Sequence, residues 1–91
     1  MAPALTLRLP PTLAQFCDGE RVVAVAGTTV GEALASAAAA HPLLRAQLMD
    51  ERGRVRPNLH LFLNEQDVRT ELDTPVRGGD ELLVLRAMSG G

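Results

Sequence analysis

The sequence predicts an α+β fold in which one main helix packs on one face of a mixed β-sheet. Apolar and polar residues alternate in short stretches near both ends of the chain, which is typical of half-buried strands. A capped helix with an apolar stripe lies between these stretches. At 91 residues, of which 46% are hydrophobic, the chain is long enough for one domain with a thin core.

Two strands are predicted before the helix. Residues 4–9 (ALTLRL) alternate, Pro10-Pro11 ends this strand, and residues 12–16 are consistent with a single helical turn. Residues 21–26 (RVVAVA) are predicted to be a second strand. Because the connection between the strands is short, we expect an antiparallel hairpin.

The clearest helix begins after Thr29. Thr29 is the predicted N-cap, and Glu32 three residues later completes a capping box. Pro42 marks the end of this helix. The helix presents one apolar stripe, formed by Val30, Leu34, Ala37 and Ala38. A second short helix is predicted over residues 43–49, with two inward leucines, Leu44 and Leu48.

The second half of the chain is predicted to be mostly strands and turns. The predicted segments are a polar loop at 50–58, a strand at 59–63, a turn at 64–67 with a short returning strand at Val68, an irregular stretch at 70–80 and a last strand at 81–86. The helical crossover would allow the first and last strands to lie parallel in the sheet centre. That arrangement is the β-grasp, or ubiquitin-like, fold. We expect a β-grasp domain of four to five strands at residues 1–86 and a flexible tail at residues 87–91.

The face of the sheet away from the helix is expected to be partly apolar. If Leu59, Leu61 and Leu63 face the helix, His60 and Phe62 point to the open face. In the last strand the pattern leaves two choices open, either Leu82 and Val84 inward or Leu83 and Leu85 inward. Both choices leave apolar side chains beside Phe62, which indicates a protein interface. The alternative is that residues 43–57 cover this face.

Composition argues against several classes of partner. The net charge is −2 and aromatic residues are 2%, so neither nucleic acid nor an anionic membrane is expected as the main partner. No apolar stretch is long enough to span a bilayer, and the first residues lack the pattern of a secretory signal. The lone cysteine, Cys17, fits a reducing compartment, so we expect a cytoplasmic protein.

No catalytic or metal-binding constellation is found in the sequence, and we expect a protein that is not itself an enzyme. His41 and His60 lack metal-ligand spacing, so no metal is expected. Cys17 lies beside two carboxylates that raise a thiol pKa, which disfavours a nucleophile. Arginines alternate at 52, 54 and 56; these are either solvated or a docking patch for an acidic partner.

The terminal Gly90-Gly91 pair is the feature best explained by chemistry. Two glycines at a chain end arise by chance in roughly one chain in two hundred. Glycine has no Cβ, so a nucleophile reaches the Gly91 carbonyl with least hindrance and a narrow channel can close around the tail. Residues 87–91 reach on the order of 16 Å when extended, which is enough to enter another protein's active site.

Residues 64–91 (NEQDVRTELDTPVRGGDELLVLRAMSGG) resemble the C-terminal third of the ubiquitin-like sulfur-carrier proteins. Relatives include the small subunit of molybdopterin synthase and the thiamine-biosynthesis sulfur carrier. Shared features are an Asn after the third strand, a DV return, a TP turn, a GGDE turn and the terminal SGG. The LMD stretch at residues 48–50, followed after a long loop by NEQDVR at residues 64–69, more closely resembles the longer branch that feeds sulfur into cysteine biosynthesis and secondary metabolites. Many relatives have proline before the tail, where this chain has Arg86 and Ala87.

The resemblance implies a mechanism without a catalytic side chain in this chain. A partner of the ubiquitin-activating type, an adenylyltransferase, would use ATP to adenylate the Gly91 carboxylate. A persulfide or sulfide donor would convert it to a thiocarboxylate, and a downstream sulfur-accepting synthase would receive the sulfur. No cofactor is expected on the chain itself. The resemblance implies that Gly90 and Ser89 let the tail pass through the narrow channel of the partner enzyme. It also implies a partner interface, with Leu82 and Val84 inward, at Phe62, Leu83, Leu85, Arg86 and Met88.

Three other functions are consistent with the same residues. The chain could be a ubiquitin-like modifier that is conjugated to proteins through Gly91. It could be a non-catalytic subunit of molybdopterin synthase, or a binding domain with an inert tail. All nine basic residues are arginine, so no chain of this protein linked to itself through lysine is expected.

Overall fold

The computed structural model describes residues 3–87 and has the predicted α+β architecture. Its elements in chain order are β1 (Ala4–Arg8), α1 (Pro11–Ala14), β2 (Val22–Ala26), α2 (Val30–Ala40), α3 (Pro42–Leu48), β3 (Leu59–Leu63), β4 (Gln66–Asp67) and β5 (Glu81–Arg86). A single turn of 3₁₀ helix, Gln15–Cys17, follows α1. The predicted tail positions 88–91 lie outside the described residues.

The sheet has five strands in the order β2-β1-β5-β3-β4. β1 and β5 pair in parallel, whereas β1 with β2, β3 with β5 and β3 with β4 pair antiparallel. The β-grasp prediction is therefore confirmed. β5 is the strand that joins the hairpin of β1 and β2 to the hairpin of β3 and β4.

Proline ends β1, as the sequence predicts. The parallel pairing of β1 with β5 ends at Arg8 and Leu83, and Pro10 has no N–H with which to continue the ladder. The Pro10 carbonyl instead accepts hydrogen bonds from the N–H groups of Leu13 and Ala14, both at 2.9 Å, and starts α1. The end of β5 therefore pairs only with β3.

The capping box of α2 is present, with one difference in register. Thr29 Oγ1 accepts from the Glu32 N–H at 3.2 Å. Glu32 Oε1 accepts from the backbone N–H of Thr28 at 2.8 Å and from its hydroxyl at 2.7 Å, so the carboxylate reaches one residue beyond the N-cap. These two bonds lower the pKa of Glu32. Gly27 is required here, because a Cβ would lie 2.7 Å from the Ala33 nitrogen.

The core lies between the sheet and the helices. In β5, Leu82 and Val84 are buried, Leu83 is half-buried and Leu85 is 43% exposed, which settles the choice left open by the sequence pattern. Within the segment 43–57, the buried side chains belong to this same core and do not cover the open face. They are Leu44, Leu48 and Val55. The core residues on the strands are Leu5, Leu7, Val23, Val25, Leu59, Leu61, Leu63, Leu82 and Val84.

The return after β3 differs from the prediction. Asn64 and Glu65 form the whole turn with φ angles of 47° and 80°, so the strand begins at Gln66. Val68, the predicted strand residue, follows β4 and is fully buried, with its N–H bonded to the Leu61 carbonyl at 2.9 Å. A two-residue turn of this kind reverses the chain sooner than the predicted four-residue turn. None of the helices within residues 3–87 is long and apolar enough to cross a bilayer.

Candidate functional site

The open face of the sheet brings apolar residues from three strands together. Strand register places Val22 beside Arg8, Arg8 beside Leu83 and Leu83 beside Phe62 in one row across the sheet. In the adjacent row Leu85 pairs with His60. We call the four apolar residues the open-face patch: Val22, Phe62, Leu83 and Leu85.

The exposure of the open-face patch suits it for contact with another protein. Val22 is 49% exposed and Leu85 is 43% exposed, whereas Phe62 and Leu83 are half-buried. The His60 and Phe62 rings are stacked with a centroid distance of 6.3 Å and an interplanar angle of 26°. Large apolar side chains at this exposure reduce the stability of the free domain only slightly. Their burial under another protein would be favourable.

An ion pair lies across the centre of the open face. Arg8 Nε donates to Glu81 Oε2 at 2.9 Å, and the two side chains are 53% and 47% exposed. Exposed pairs of this kind contribute little to stability. The sequence prediction missed both Arg8 and Val22, because their place beside Leu83 depends on strand register and not on local pattern.

A cavity of about 520 Å³ lies where the open face meets the end of β5. Its walls combine the Pro10-Pro11 segment with Leu85, and Arg21 lines it as well. Because Pro10 ends β1, the pairing of β1 with β5 stops at Leu83. The space beside Arg86 and Ala87, which we call the tail root, therefore stays open on this side. A partner that covers the open-face patch would therefore also reach the tail root.

The tail root is held on the β3 side alone. Arg86 pairs with Leu59 and is exposed, and the Ala87 N–H donates to the Asn58 carbonyl at 2.7 Å. Of the predicted interface residues, the structure thus brings Phe62, Leu83 and Leu85 together and places Arg86 at the adjoining strand end. The remaining predicted site residues lie outside the described residues: Met88, Ser89, Gly90 and Gly91.

A hydrogen-bonded clasp fixes the opposite end of β5. Asn64 Nδ2 donates to Asp80 Oδ1 at 3.0 Å, and Asn64 Oδ1 accepts from the Glu81 N–H at 3.0 Å. Asp80 Oδ2 accepts from the Arg77 N–H at 2.8 Å. The Arg77 N–H is the main cause of the lowered pKa of Asp80, and the Asn64 amide and the Arg77 charge add to it. This clasp unites two of the predicted motif positions, the Asn after the third strand and the GGDE turn.

The other reactive side chains do not form a site. Cys17 is fully buried, and burial, followed by the charges of Asp18 and Glu20, raises the pKa of its thiol. His41 lies at the end of α2 as predicted, where its backbone N–H bonds to the Ala37 carbonyl at 2.9 Å and its imidazole makes no capping bond. Within residues 3–87 no group of three or more His, Cys, Asp or Glu side chains could hold a metal ion.

Comparison with known proteins assigns these features to a family. The ThiS family model matches residues 11–91, a span that includes the four residues of the open-face patch and the terminal glycines. No curated protein sequence matches the chain significantly.

Solved structures with the same fold align over nearly the whole chain. A chain of the BexX/CysO complex of Amycolatopsis orientalis is 30% identical with a TM-score of 0.86, covering 96% of this chain and 99% of that chain. SAMP1 of Haloferax volcanii is 28% identical with a TM-score of 0.84, covering 97% and 99%. CysO of Mycobacterium tuberculosis is 26% identical with a TM-score of 0.85, covering 92% and 99%.

Proposed function

Because the chain belongs to the ThiS family, we propose that it is a sulfur carrier whose reactive group is the carboxylate of Gly91. The observation that carries the proposal is the match of the family model through Gly90 and Gly91. The similarity to two CysO-containing structures, at 30% and 26% identity, favours the branch that supplies sulfur to cysteine or related products.

The proposed reaction consists of two steps at one carbonyl. An oxygen of the Gly91 carboxylate attacks the α-phosphorus of ATP on the partner enzyme, and pyrophosphate leaves. Sulfide then attacks the acyl carbon of the adenylate, and AMP leaves with the electron pair of the broken bond, so that the thiocarboxylate forms. A persulfide sulfur attacks in the same way and gives an acyl disulfide; a second thiol then attacks the distal sulfur, so that the thiocarboxylate leaves and a new disulfide forms. On the downstream synthase the thiocarboxylate sulfur displaces the leaving group of an activated acceptor, and hydrolysis of the resulting thioester releases the sulfur product and restores the Gly91 carboxylate.

In this proposal the folded domain recognises partners and holds no cofactor of its own. The open-face patch and the Arg8–Glu81 pair would dock on the activating enzyme, and Gly90 with Ser89 would thread the catalytic channel. The complex of BexX with CysO supports stable docking between a similar protein and a partner. ATP is bound by the partner, and we place the reaction in the cytoplasm, where ATP is abundant.

Intact mass spectrometry of the protein from its native host tests the proposal. Replacement of one oxygen by sulfur changes the mass by nearly the same amount as oxidation, and the chain has three methionines and one cysteine that can oxidise. The sample is therefore treated with iodoacetamide before measurement. A thiocarboxylate sulfur is alkylated, whereas methionine sulfoxide is not.

Two matched variants make this result specific. A Cys17→Ser chain should still be alkylated, and fragmentation should place the label on Gly91. A chain that lacks Gly91 should carry no label in the Cys17→Ser background. Absence of any label on Gly91 in protein from cells grown under sulfur limitation would contradict the proposal.

A protein modifier is the second candidate, because SAMP1, whose name denotes a small archaeal modifier protein, is 28% identical. In that case the Gly91 adenylate would be attacked by a target lysine amine instead of a sulfur nucleophile, with AMP leaving. Affinity purification of the tagged chain under denaturing conditions distinguishes the two roles. Isopeptide-linked fragments ending in Gly91 on other proteins support the modifier, and their absence together with a labelled thiocarboxylate supports the carrier.

A further inference from the structure

A second groove lies on the helix side of the sheet, away from the open-face patch. It has a volume of about 570 Å³ and runs between the loop after α3 and the connection from β4 to β5. Two arginines, one on each wall, line it together with an apolar floor, so we call it the Arg54–Arg69 groove. The lining residues used below are Asp50, Arg54, Val55, Pro57, Arg69 and Leu72.

The wall that carries Arg54 is fixed by hydrogen bonds of the loop itself. Asp50 Oδ1 accepts from the N–H groups of Arg52 at 2.8 Å and Arg54 at 3.0 Å, and the Asp50 N–H donates to the Arg54 carbonyl at 2.8 Å. Met49 and Val55 form a β-bridge. The backbone of Arg54 is therefore held in place before any partner arrives, which reduces the entropy cost of binding.

The opposite wall is equally fixed. The Arg69 N–H donates to Asp67 Oδ1 at 3.0 Å, and the Glu71 N–H donates to the Val68 carbonyl at 2.9 Å. The Leu72 carbonyl accepts from the Gly31 N–H at 2.9 Å, which ties this wall to the start of α2. Val55 is buried and Leu72 is half-buried, so the floor between the walls is apolar.

The guanidinium groups of the groove are open to solvent and have no protein partner within the part of the chain that the structure describes. Neither Arg54 nor Arg69 has a side-chain hydrogen bond or ion pair with any of residues 3–87, although Arg69 is half-buried. Arg56 differs, because its Nε donates to the Ala46 carbonyl at 2.6 Å. The Asp50 carboxylate is the one acidic group in the lining. It accepts from two backbone N–H groups, and these bonds, that from Arg54 first, together with the nearby charges of Arg54 and Arg56 lower its pKa.

We propose that the Arg54–Arg69 groove binds an acidic segment of a protein partner, with carboxylates on the two guanidinium groups and an apolar side chain on Val55 and Leu72. Arginine binds carboxylates with paired N–H donors, so two guanidinium groups on facing walls offer binding positions for two carboxylates of one segment. The mixed lining favours a peptide over a small anion, because an inorganic anion would leave the apolar floor uncovered. The chain then carries a second docking site, which is separate from the open-face patch.

The test uses a probe peptide and the full chain. The acetylated and amidated peptide Glu-Leu-Glu-Leu is titrated into ¹⁵N-labelled protein, and amide chemical shifts are followed. We expect the shifts to concentrate at Val55, Arg69 and Leu72 and to weaken when NaCl is raised from about 0.05 M to about 0.5 M. The peptide Gln-Leu-Gln-Leu should bind at least about threefold more weakly, since amides lack the charge that guanidinium recognises.

Arginine variants distinguish binding in the groove from a general effect of positive charge on the surface. Arg54→Ala and Arg69→Ala should each raise the dissociation constant about two- to fivefold, and both together should abolish measurable binding. Arg77→Ala removes the same charge outside the groove and should leave binding within error. Equal binding of the Glu and Gln peptides, equal binding by the double variant, or shifts confined to the open-face patch would overturn the proposal.

The same titration with a chain lacking Gly90 and Gly91 keeps this test independent of the sulfur-carrier proposal. Peptide binding should be unchanged by the deletion, because the groove is built from residues 50–72 alone. A carrier that forms a thiocarboxylate but does not bind the acidic peptide would refute only the groove. A chain that binds the peptide but never forms a thiocarboxylate would refute only the carrier role.

Discussion

The side-chain amide of Asn64 donates a hydrogen bond to Asp80 Oδ1 over 3.0 Å and joins the turn after β3 to the turn before β5. The Asn64 carbonyl oxygen at the same time accepts from the Glu81 N–H. Asn64 has a φ of 47°, a conformation that asparagine tolerates better than most residues. One side chain therefore sets the register with which the tail-bearing strand enters the sheet.

Replacing Asp80 by Asn should destabilise the protein in a pH-dependent way. The native pKa of Asp80 is lowered, chiefly by the Arg77 N–H, so its ionised form stabilises the native state. That contribution is complete above the unfolded pKa, about 3.9, and is lost as the pH falls through the native pKa. We expect Asp80→Asn to have a lower Tm than the parent at pH 7, and the difference to disappear as the pH falls below about 3.9 and through the native pKa of Asp80. Asp73→Asn, at an exposed carboxylate with no side-chain hydrogen bond to the described residues, is the control and should shift Tm little.

The order of the elements could be predicted from local pattern because each strand and helix has its own signal. Alternation marks β1 and β3, and the Thr29–Glu32 pair marks the start of α2. The resemblance marked Asn64 and Asp80 as motif positions, but their contact had no local signal, because it joins two separate turns of the chain. The same reason applies to the Arg54–Arg69 groove, whose two walls come from different connections.

The orientation of β5 could not be derived from its own sequence. Four consecutive apolar residues, Leu82 to Leu85, satisfy either face of a strand, so periodicity gives no preference. The structure decides, because Leu82 and Val84 are buried in the same core as residues of α2 and α3, whereas Leu83 is half-buried and Leu85 is 43% exposed. The tail itself, Ser89 to Gly91, remains a sequence-based prediction.

Substitutions at neighbouring positions of β5 should differ strongly in their cost. Leu82 is fully buried, so Leu82→Ala should lower the free energy of unfolding by about 2–5 kcal/mol. Leu83→Ala removes a half-buried side chain of the open face and should cost less than half as much. Urea denaturation of both variants measures the difference. Equal losses would contradict the inward orientation of Leu82.

The open-face patch should matter for partner binding and not for folding. Leu85→Ser is expected to leave Tm nearly unchanged, because Leu85 is 43% exposed. In ATP–pyrophosphate exchange catalysed by the proposed activating enzyme, the same substitution should raise the KM for this protein by about fivefold or more. Leu43→Ser is the matched control, since Leu43 is 73% exposed on α3. An equal effect of both substitutions would show that the patch has no special role.

Cys17 should be inert in the folded protein. Its thiol is fully buried, and its pKa is raised by burial and by Asp18 and Glu20, so little thiolate is present at pH 7. A disulfide exchange reagent such as Ellman's reagent should react slowly with the native chain and fast with the chain in urea. Rapid reaction in the native state would show that the Cys17 thiol is accessible. Cys17 would then become a candidate for a role in sulfur transfer.

The central place of β5 also has a mechanical consequence. Force applied at Ala87 along the axis of β5 is resisted by two ladders, the antiparallel one with β3, which runs to Arg86, and the parallel one with β1, which runs to Leu83. Both ladders are loaded in shear, whereas a strand at a sheet edge has one ladder to resist the same force. If a partner enzyme draws in the tail, as the proposed function requires, the domain outside the channel should therefore resist unfolding.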